Sequence, residues 1–197
     1  MFKLIHFIFH LKYLRNFKYI LLLLLICCSN KKEIYSSKSL NTVYNSEYIN
    51  SVKSFYGELN KTDYENAIRA FEVELGTIIP NGNLILINYE QKGQHCISMD
   101  KNGKHYLESL ERSTEISSRI SSQNKTLDFF VFAKNAFANK IVEKDKYFIL
   151  DSGFFYKNIF TEHDNCSAFF ILKPNGKFMK YYGEDYYSKV IKFLKSK

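Results

Sequence analysis

Hydrophobic residues form short, nearly continuous runs at five places along the chain. The two strongest, at residues 83–90 and 127–133, are rich in Leu, Ile and Phe. Such runs are typical of strands buried on both faces of a sheet. A shorter run at 147–150 predicts a further strand. The runs at 167–172 and 177–182 flank a Lys-Pro-Asn-Gly turn and predict a β-hairpin.

Elsewhere, apolar residues recur at the spacing of helices. This spacing predicts helices over 46–59 and 62–75, the second ending at Gly76, with Thr62 and Glu65 suited to a capping box. Later helices are predicted near 103–110, over 135–143, over 153–160 and over about 184–195, whereas 113–123 suits a helix end or a loop. The order of elements predicts a helical segment at 46–76 followed by an α/β domain.

The first 45 residues differ from the rest of the chain. Residues 1–18 are basic and aromatic, residues 19–26 are apolar and uncharged, and two cysteines and a polar, Lys-containing stretch follow. This layout predicts a secretory signal peptide over 1–27 and a flexible tether over 28–45. A membrane-spanning helix needs about 20 predominantly apolar residues. The run is shorter, so an uncleaved anchor is the weaker alternative.

Cys27 and Cys28 directly follow the apolar run, and this position resembles the lipidation site of bacterial lipoprotein signals. In that family the cysteine becomes the lipidated N-terminus after cleavage. The resemblance implies lipidation at Cys28, with Cys27 as the alternative. It also implies a cell-envelope protein that is lipid-anchored to a bacterial membrane on the extracytoplasmic side, where disulfides are permitted. A plain secreted form is the other alternative.

The charge of the chain narrows the range of partners. The formal net charge is +8, but residues 1–27 hold four basic residues and no acidic one. A formal net charge of +8 − 4 = +4 therefore remains for residues 28–197. A mild excess of Lys is mostly a solvated surface, and no Arg cluster marks a nucleic-acid site. The sequence also lacks GxSxG, HExxH and a phosphate-binding glycine loop. It therefore predicts no cofactor and no nucleic-acid partner.

Three stretches of the domain carry a family resemblance: LILINYE followed by GQHC, YFILD followed by KNIF, and SAFFILKPNGKF. Together with the order of elements, they resemble the TlpA-like and peroxiredoxin-like branch of the thioredoxin family, whose hairpin sequence PTTFLIDKDGKI is similar to the last stretch. The resemblance covers residues 77–197. It implies a thioredoxin-like three-layer α/β sandwich, here with an N-terminal helical extension.

The chain departs from this family at the catalytic motif. Active members carry CxxC after the first central strand, and the thiolate of the first cysteine attacks. Residues 93–96 keep only the second cysteine, Cys96, and Ser167 stands where the family has a cis-proline. These departures predict a non-catalytic binding or scaffold module with an unidentified protein partner. Whether the chain is an enzyme stays open at this point.

Cys166 keeps thiol chemistry among the alternatives. In the fold that the resemblance implies, the loop with Cys166 faces the one with Cys96, within reach of a disulfide. The two are candidates for a structural disulfide, for the redox pair of a thiol-disulfide oxidoreductase, or for two inert buried thiols. His95 and His163 lie at the same end of the sheet. Together with the two cysteines, they make a Cys/His metal-binding chaperone a further alternative, since thiolates and imidazoles suit copper or zinc.

Overall fold

The computed structural model describes residues 46, 48–95, 104–136, 147–184 and 186–196. Its elements are β1 (Lys53–Glu58), α1 (Lys61–Leu75), β2 (Leu84–Glu90), α2 (Lys104–Gln123), β3 (Thr126–Phe132), β4 (Phe148–Leu150), α3 (Phe154–Asn158), β5 (Ser167–Leu172), β6 (Lys177–Tyr182) and α4 (Tyr187–Lys195). All five predicted strands are confirmed, each within one residue of its predicted ends. The predicted signal peptide and tether lie outside the described residues, as does most of the helix predicted over 135–143.

The six strands form one open, mixed sheet in the order β1-β6-β5-β2-β3-β4. β2, β3 and β4 run parallel to one another, whereas β5, β6 and β1 each run antiparallel to their neighbours. The carboxyl ends of β2, β3 and β4 therefore lie at the same edge as the amino end of β5. The loops that follow the three parallel strands and the loop that enters β5 meet at this edge.

Helices pack on both faces of the sheet. On one face, α1 and α3 contribute Phe71 and Phe155 to the hydrophobic core, and on the other, α2 and α4 contribute Ile120 and Val190. Residues 85–89 of β2 are all buried because both faces are covered, as the continuous apolar run predicted. The fold is therefore mixed α/β, with a six-stranded sheet between helices.

The helix predicted over 46–59 is wrong. The chain is helical at 48–51, but it then forms strand β1, which pairs with β6 at the edge of the sheet. Gly57 disfavours a helix by about 1 kcal/mol relative to Ala. In the strand its missing side chain makes room for the Phe178 ring, which a Cβ at this position would overlap. Pairing with a distant strand outweighs the local helical spacing.

The capping box predicted at the start of α1 is displaced by two residues. The N-cap is Asn60 rather than Thr62. The Asn60 side-chain oxygen accepts a hydrogen bond from the Asp63 amide at 2.9 Å, and its amide group donates to the Asp63 carboxylate at 2.7 Å. The predicted end is confirmed, since Gly76 lies in the left-handed region with φ +63°, which favours glycine after a helix.

α2 extends further than its composition indicated. It is unbroken to its end at Gln123, so the helix end or loop predicted over 113–123 is wrong. Ser117 and Ser121, one turn apart, are both buried. Serine has a modest helix propensity because its hydroxyl competes for backbone hydrogen bonds, but packing against the sheet decides the outcome here. α4 begins at Tyr187, three residues later than predicted.

Candidate functional site

Two loops meet where β2 ends and β5 begins. We call them the paired loops, residues 91–95 and residues 161–166. His95 and Asn165 form a parallel β-bridge, and the His95 amide donates a hydrogen bond to the Asp164 carbonyl at 2.9 Å. The backbone amide of Gln91 donates to the Cys166 carbonyl at 2.8 Å. Backbone hydrogen bonds therefore join both ends of the first loop to residues 164–166 of the second.

The buried side chain of Gln91 links the paired loops from within. Its amide nitrogen donates to the carbonyls of Glu162 at 2.8 Å and Asn165 at 2.9 Å, which uses both hydrogens of the amide. Its oxygen lies 2.9 Å from Nδ1 of His163, so Nδ1 is the donor in this contact. The His163 ring also stacks on Tyr156, with ring centroids 3.9 Å apart and planes inclined by 9°. Gln91 and Tyr156 together fix the orientation of His163.

Cys166, in the second of the paired loops, is disulfide-bonded. It is 6% exposed, and its sulfur accepts a hydrogen bond from the Gly93 amide at 3.3 Å. Cys166 is therefore not a free thiol. The two other predicted cysteine sites, Cys96 and the lipidation site Cys28, lie outside the described residues.

Gly93 lies directly against the backbone of the opposite loop. A Cβ at this position would lie 2.6 Å from the carbonyl oxygen of Asp164 and 2.7 Å from the carbonyl carbon of Asn165. Both distances are well below a van der Waals contact, and both atoms belong to the backbone, which cannot swing aside. The paired loops therefore exclude a side chain at position 93. The thioredoxin resemblance puts the first cysteine of CxxC at this position.

The N-terminal part of the domain is tied to the paired loops. The Asn165 side chain donates to the Ser51 carbonyl at 2.7 Å and accepts from the Ser51 hydroxyl at 2.9 Å. Lys53 forms ion pairs with Glu162 and with Asp164. Sequence reasoning missed these residues because isolated Ser, Asn and Lys residues form no motif. The only available signal for Asn165 was its position directly before a candidate cysteine.

The structure brings His95, His163 and Cys166 of the predicted Cys/His set into the paired loops. The disulfide-bonded Cys166 offers no thiolate to a metal ion. Within the described part of the chain, no group of three or more His, Cys, Asp and Glu side chains is arranged to hold a metal. The metal-binding function stays a prediction that depends on Cys96.

A second polar centre lies at the carboxyl ends of β3 and β4. Asp151 is buried, with 2% exposure. One of its carboxylate oxygens accepts from the amides of Gly153 at 2.9 Å and Phe155 at 3.1 Å. The other accepts from the Tyr89 hydroxyl at 3.0 Å and the Tyr156 amide at 2.9 Å. Burial, together with the charge of Asp151, raises the pKa of Tyr89. The phenol therefore stays protonated and donates its hydrogen bond to Asp151.

A pocket of about 390 Å³ opens next to Asp151. It is bounded by the residues that follow β3, by the residues that follow β4, and by α3. Its lining includes Ala133, Lys134, Asn135, Ser152, Tyr156 and Lys157. The backbone amide of Lys92, in the first of the paired loops, donates to the Asn135 side-chain oxygen at 3.4 Å. The pocket therefore adjoins the paired loops.

A buried polar network joins helices to the other face of the sheet. Asn88 donates to the Asp128 carboxylate at 2.7 Å, and the Ser117 hydroxyl donates to it at 2.9 Å. The Tyr186 hydroxyl donates to the Asn88 oxygen at 2.9 Å. Burial raises the pKa of Asp128 to about 6, although these hydrogen bonds favour the ionised form. Every contact in this network is internal, which indicates a structural role.

Glu90, the last residue of β2, is a half-buried carboxyl group that accepts a hydrogen bond from the Ser167 hydroxyl at 2.8 Å. Burial raises its pKa to about 8; the hydrogen bond from Ser167 acts against this, and the charge of Glu184 adds to it. An unfolded Glu has a pKa of about 4.3. The neutral form is thus favoured by folding, and the stability that it contributes is lost as the pH rises from about 4.3 to about 8.

We expect Glu90→Gln to flatten this pH dependence, because the amide stays neutral. Its free energy of unfolding should stay near that of the wild type at about pH 5 and exceed it above about pH 8. Urea unfolding at both pH values measures the difference. Glu58→Gln, which removes an exposed carboxylate from β1, is the control for loss of charge. Parallel pH profiles for the wild type and Glu90→Gln would contradict the expectation.

Comparison with known proteins identifies no family for this chain. It matches no protein-family model, and no curated protein sequence is significantly similar to it. None of the helices in the described ranges is both long and apolar enough to cross a membrane. The function has to be inferred from the residues and contacts of the chain itself.

Proposed function

We propose that this chain is an extracytoplasmic lipoprotein with a divergent thioredoxin-like domain that acts as a non-catalytic binding or scaffold module for a protein partner. The observation that carries the proposal is the packing at Gly93. The attacking cysteine of the family would stand at this position, and the backbone of Asp164 and Asn165 occupies the space that its side chain needs. Packing, and not only the residue type, therefore supports a module without the usual dithiol motif.

The thioredoxin-like assignment is supported by the order and direction of the strands. β2 and β3 are parallel and are linked by α2. The hairpin β5-β6 lies on the other side of β2 and is antiparallel to it, and α4 follows. The loop that enters this hairpin lies against the loop that follows β2, and the family has its cis-proline and CxxC segments in these two loops.

We infer that Cys166 is bonded to Cys96. The other cysteines of the chain are Cys27 and Cys28, in the leader. His95 directly precedes Cys96, and it pairs with Asn165, which directly precedes Cys166. Neighbouring strands lie about 4.8 Å apart, within the range of about 4.4–6.8 Å between α-carbons that a disulfide requires. Because Cys166 is buried, such a bond would link the paired loops and serve a structural role.

Thiol-disulfide exchange by Cys96 and Cys166 is the second candidate function. One contact favours it: the Gly93 amide donates to the sulfur of Cys166. An N–H group directed at sulfur stabilises a thiolate, so Cys166 would be a competent leaving group if an external thiol attacked Cys96.

Differential alkylation of the full-length chain, read by mass spectrometry, tests the proposal, because it identifies the free and the disulfide-bonded cysteines. We expect a linked peptide containing Cys96 and Cys166 after alkylation without reduction, and alkylation of these two residues only after reduction. We also expect no catalysis of insulin reduction beyond that of Cys96→Ser. Catalysis that is lost in Cys96→Ser would replace the binding module with the oxidoreductase. Free alkylation of both residues under oxidising conditions would refute the disulfide.

The lipid anchor is tested separately, at the leader. We expect the full-length chain, expressed in a bacterium, to incorporate labelled palmitate, because the proposed lipidation attaches fatty acyl chains to a cysteine after the signal peptide, and more than one chain gives stable membrane anchoring. Cys28→Ser should lose the label and Cys27→Ser, the matched control, should keep it. The reverse pattern would move the lipid to Cys27, and an unlabelled wild type would contradict lipid anchoring.

A further inference from the structure

Strand β1 lies at the edge of the sheet and has one open side. Among the described residues, β6 is its only neighbouring strand, and nothing hydrogen-bonds to its other side. The Leu59 amide donates to the Gly176 carbonyl at 2.9 Å, in register with the β1–β6 ladder. Backbone groups of successive strand residues point to alternate sides. Those of Ser54, Tyr56 and Glu58 therefore point away from β6, to the open side.

β1 lacks the features by which proteins protect a sheet edge. These features are prolines, bulges, very short strands and lysines on the edge. β1 has six residues and no proline, and its pairing with β6 is continuous. Its one lysine, Lys53, forms ion pairs with Glu162 and Asp164 of its own chain. Phe55 is 41% exposed and Tyr56 is 64% exposed. Such an edge is suited to pairing with another strand.

The backbone of β1 is complementary to itself. Two antiparallel copies related by a twofold axis can set Tyr56 opposite Tyr56 of the second copy, and Ser54 is then opposite Glu58. All three outward residues form hydrogen-bonded pairs in this register, because such pairs exchange both of their N–H···O bonds. A shift by two residues in either direction leaves Ser54 or Glu58 outside the ladder. The pair of tyrosines adds an aromatic cross-strand contact.

The other side chains of β1 fit the same register. Residues directly opposite each other lie on the same face of a sheet, so the Ser54 hydroxyl, a donor, meets the Glu58 carboxylate, an acceptor. Both side chains are exposed. Phe55 faces Gly57 of the second copy, beside the Phe178 ring that lies over this glycine. No like charges stand opposite each other, so neither face of the pair opposes the contact.

We propose that two copies of this chain pair through β1 in antiparallel orientation, with the twofold axis at Tyr56, and join their sheets into one continuous sheet. Interfaces of this symmetry use the same surface of both copies. A second copy is favoured over an extended peptide of another protein because β1 supplies both halves of each contact. The inference goes beyond the proposed function, since it concerns the sheet edge and not the cysteines.

Disulfide trapping of the full-length chain tests the register. The purified chain, in detergent with micelles in excess over protein, is oxidised with copper phenanthroline, and linked peptides are identified by mass spectrometry. Opposite residues of a hydrogen-bonded pair have α-carbons about 5.5 Å apart, within the range of about 4.4–6.8 Å for a disulfide. We therefore expect Tyr56→Cys to form a dimer linked through position 56, with a yield at least about 10-fold above that of the wild type.

Ser54→Cys and Glu58→Cys are the matched controls on the same face of β1. In the proposed register, each of these positions lies four residues from its own counterpart in the second copy, about 14 Å along the strand. Neither variant should therefore link to itself. An equal mixture of the two variants should instead form a mixed disulfide between positions 54 and 58.

A proline tests the backbone contacts of the open side. Ser54→Pro, combined with Tyr56→Cys, removes an N–H that points away from β6, so the β1–β6 ladder is kept. We expect the trapping yield to fall about 10-fold, because a twofold dimer loses this hydrogen bond twice. Ser54→Ala in the same background keeps the N–H and should trap within about twofold of Tyr56→Cys alone. Circular dichroism of each variant verifies that it is folded.

Three results would overturn the proposal. They are a yield at position 56 no higher than at positions 54 and 58, a link from position 56 to a co-purified peptide of another protein instead of a second copy, and equal trapping with Ser54→Pro and Ser54→Ala. None of them bears on the bond between Cys96 and Cys166 or on insulin reduction, so the proposed function is judged separately.

Discussion

Gly93→Ala is expected to lower the free energy of unfolding by about 2–3 kcal/mol, the cost of forcing an extra carbon into a packed site. The added Cβ would meet the backbone of Asp164 and Asn165 at 2.6–2.7 Å. The paired loops would have to separate, which weakens the hydrogen bonds from the Gln91 side chain to the opposite loop. In a domain of this size the melting temperature should fall by about 4–12 °C.

Two further variants test whether the loss of stability comes from the packing at position 93. Gln94→Ala changes the neighbouring, exposed residue of the same loop and should melt within about 2 °C of the wild type. Gly93→Cys would restore the cysteine spacing of the thioredoxin family by sequence, yet we expect it to destabilise the domain at least as much as Gly93→Ala. A stable Gly93→Cys variant that reduces insulin would show that the loops tolerate a side chain, and would remove the main support for a non-catalytic module.

Asp151→Asn is expected to cost about 3 kcal/mol or more, because a buried carboxylate that accepts four hydrogen bonds loses one of its two oxygens. The amide nitrogen that replaces it cannot accept from either of the donors that face it. Each buried donor left without an acceptor costs about 1–3 kcal/mol. The melting temperature should fall by about 6–12 °C, and the protection of α3 amides from hydrogen exchange should decrease.

The matched control for Asp151→Asn is Asp63→Asn. Asp63 accepts a hydrogen bond from the Asn60 side chain at the start of α1, but it is exposed to solvent. Water can replace the lost contact there, so we expect a change of less than about 1 kcal/mol. Equal melting temperatures for the two variants would mean that the Asp151 carboxylate is not the acceptor on which α3 depends.

The strands could be predicted because their signal is local. Buried strands need several consecutive apolar residues, and the runs at 83–90, 127–133, 167–172 and 177–182 stand out by composition alone. The order of these elements also led to the resemblance that put Cys166 opposite the loop after the first central strand. The structure has Cys166 there, in a disulfide, beside Gly93.

Strand β1 and the start of α1 could not be predicted in the same way. Residues 53–58 have apolar positions that satisfy helical spacing, but their strand conformation depends on pairing with β6, more than 100 residues further along the chain. The cap at Asn60 competes with a similar pattern at Thr62, and the path of the chain out of β1 selects between them. Local patterns leave such alternatives nearly equal in energy, and distant contacts decide between them.

Some features of the candidate site were likewise determined by the sequence, and others only by the tertiary structure. By itself, the sequence determined that residues 93–96 contain one cysteine and not two, that Cys96 and Cys166 are candidates for one pair, and that two cysteines directly follow the apolar run at 19–26. Only the tertiary structure decided that position 93 has no room for a side chain, that Gln91 and Asn165 hold the paired loops, and that a pocket adjoins Asp151. The physical reason is that residue types and spacing are local properties of the chain, whereas excluded volume, buried hydrogen bonds and pockets arise between segments that folding brings together.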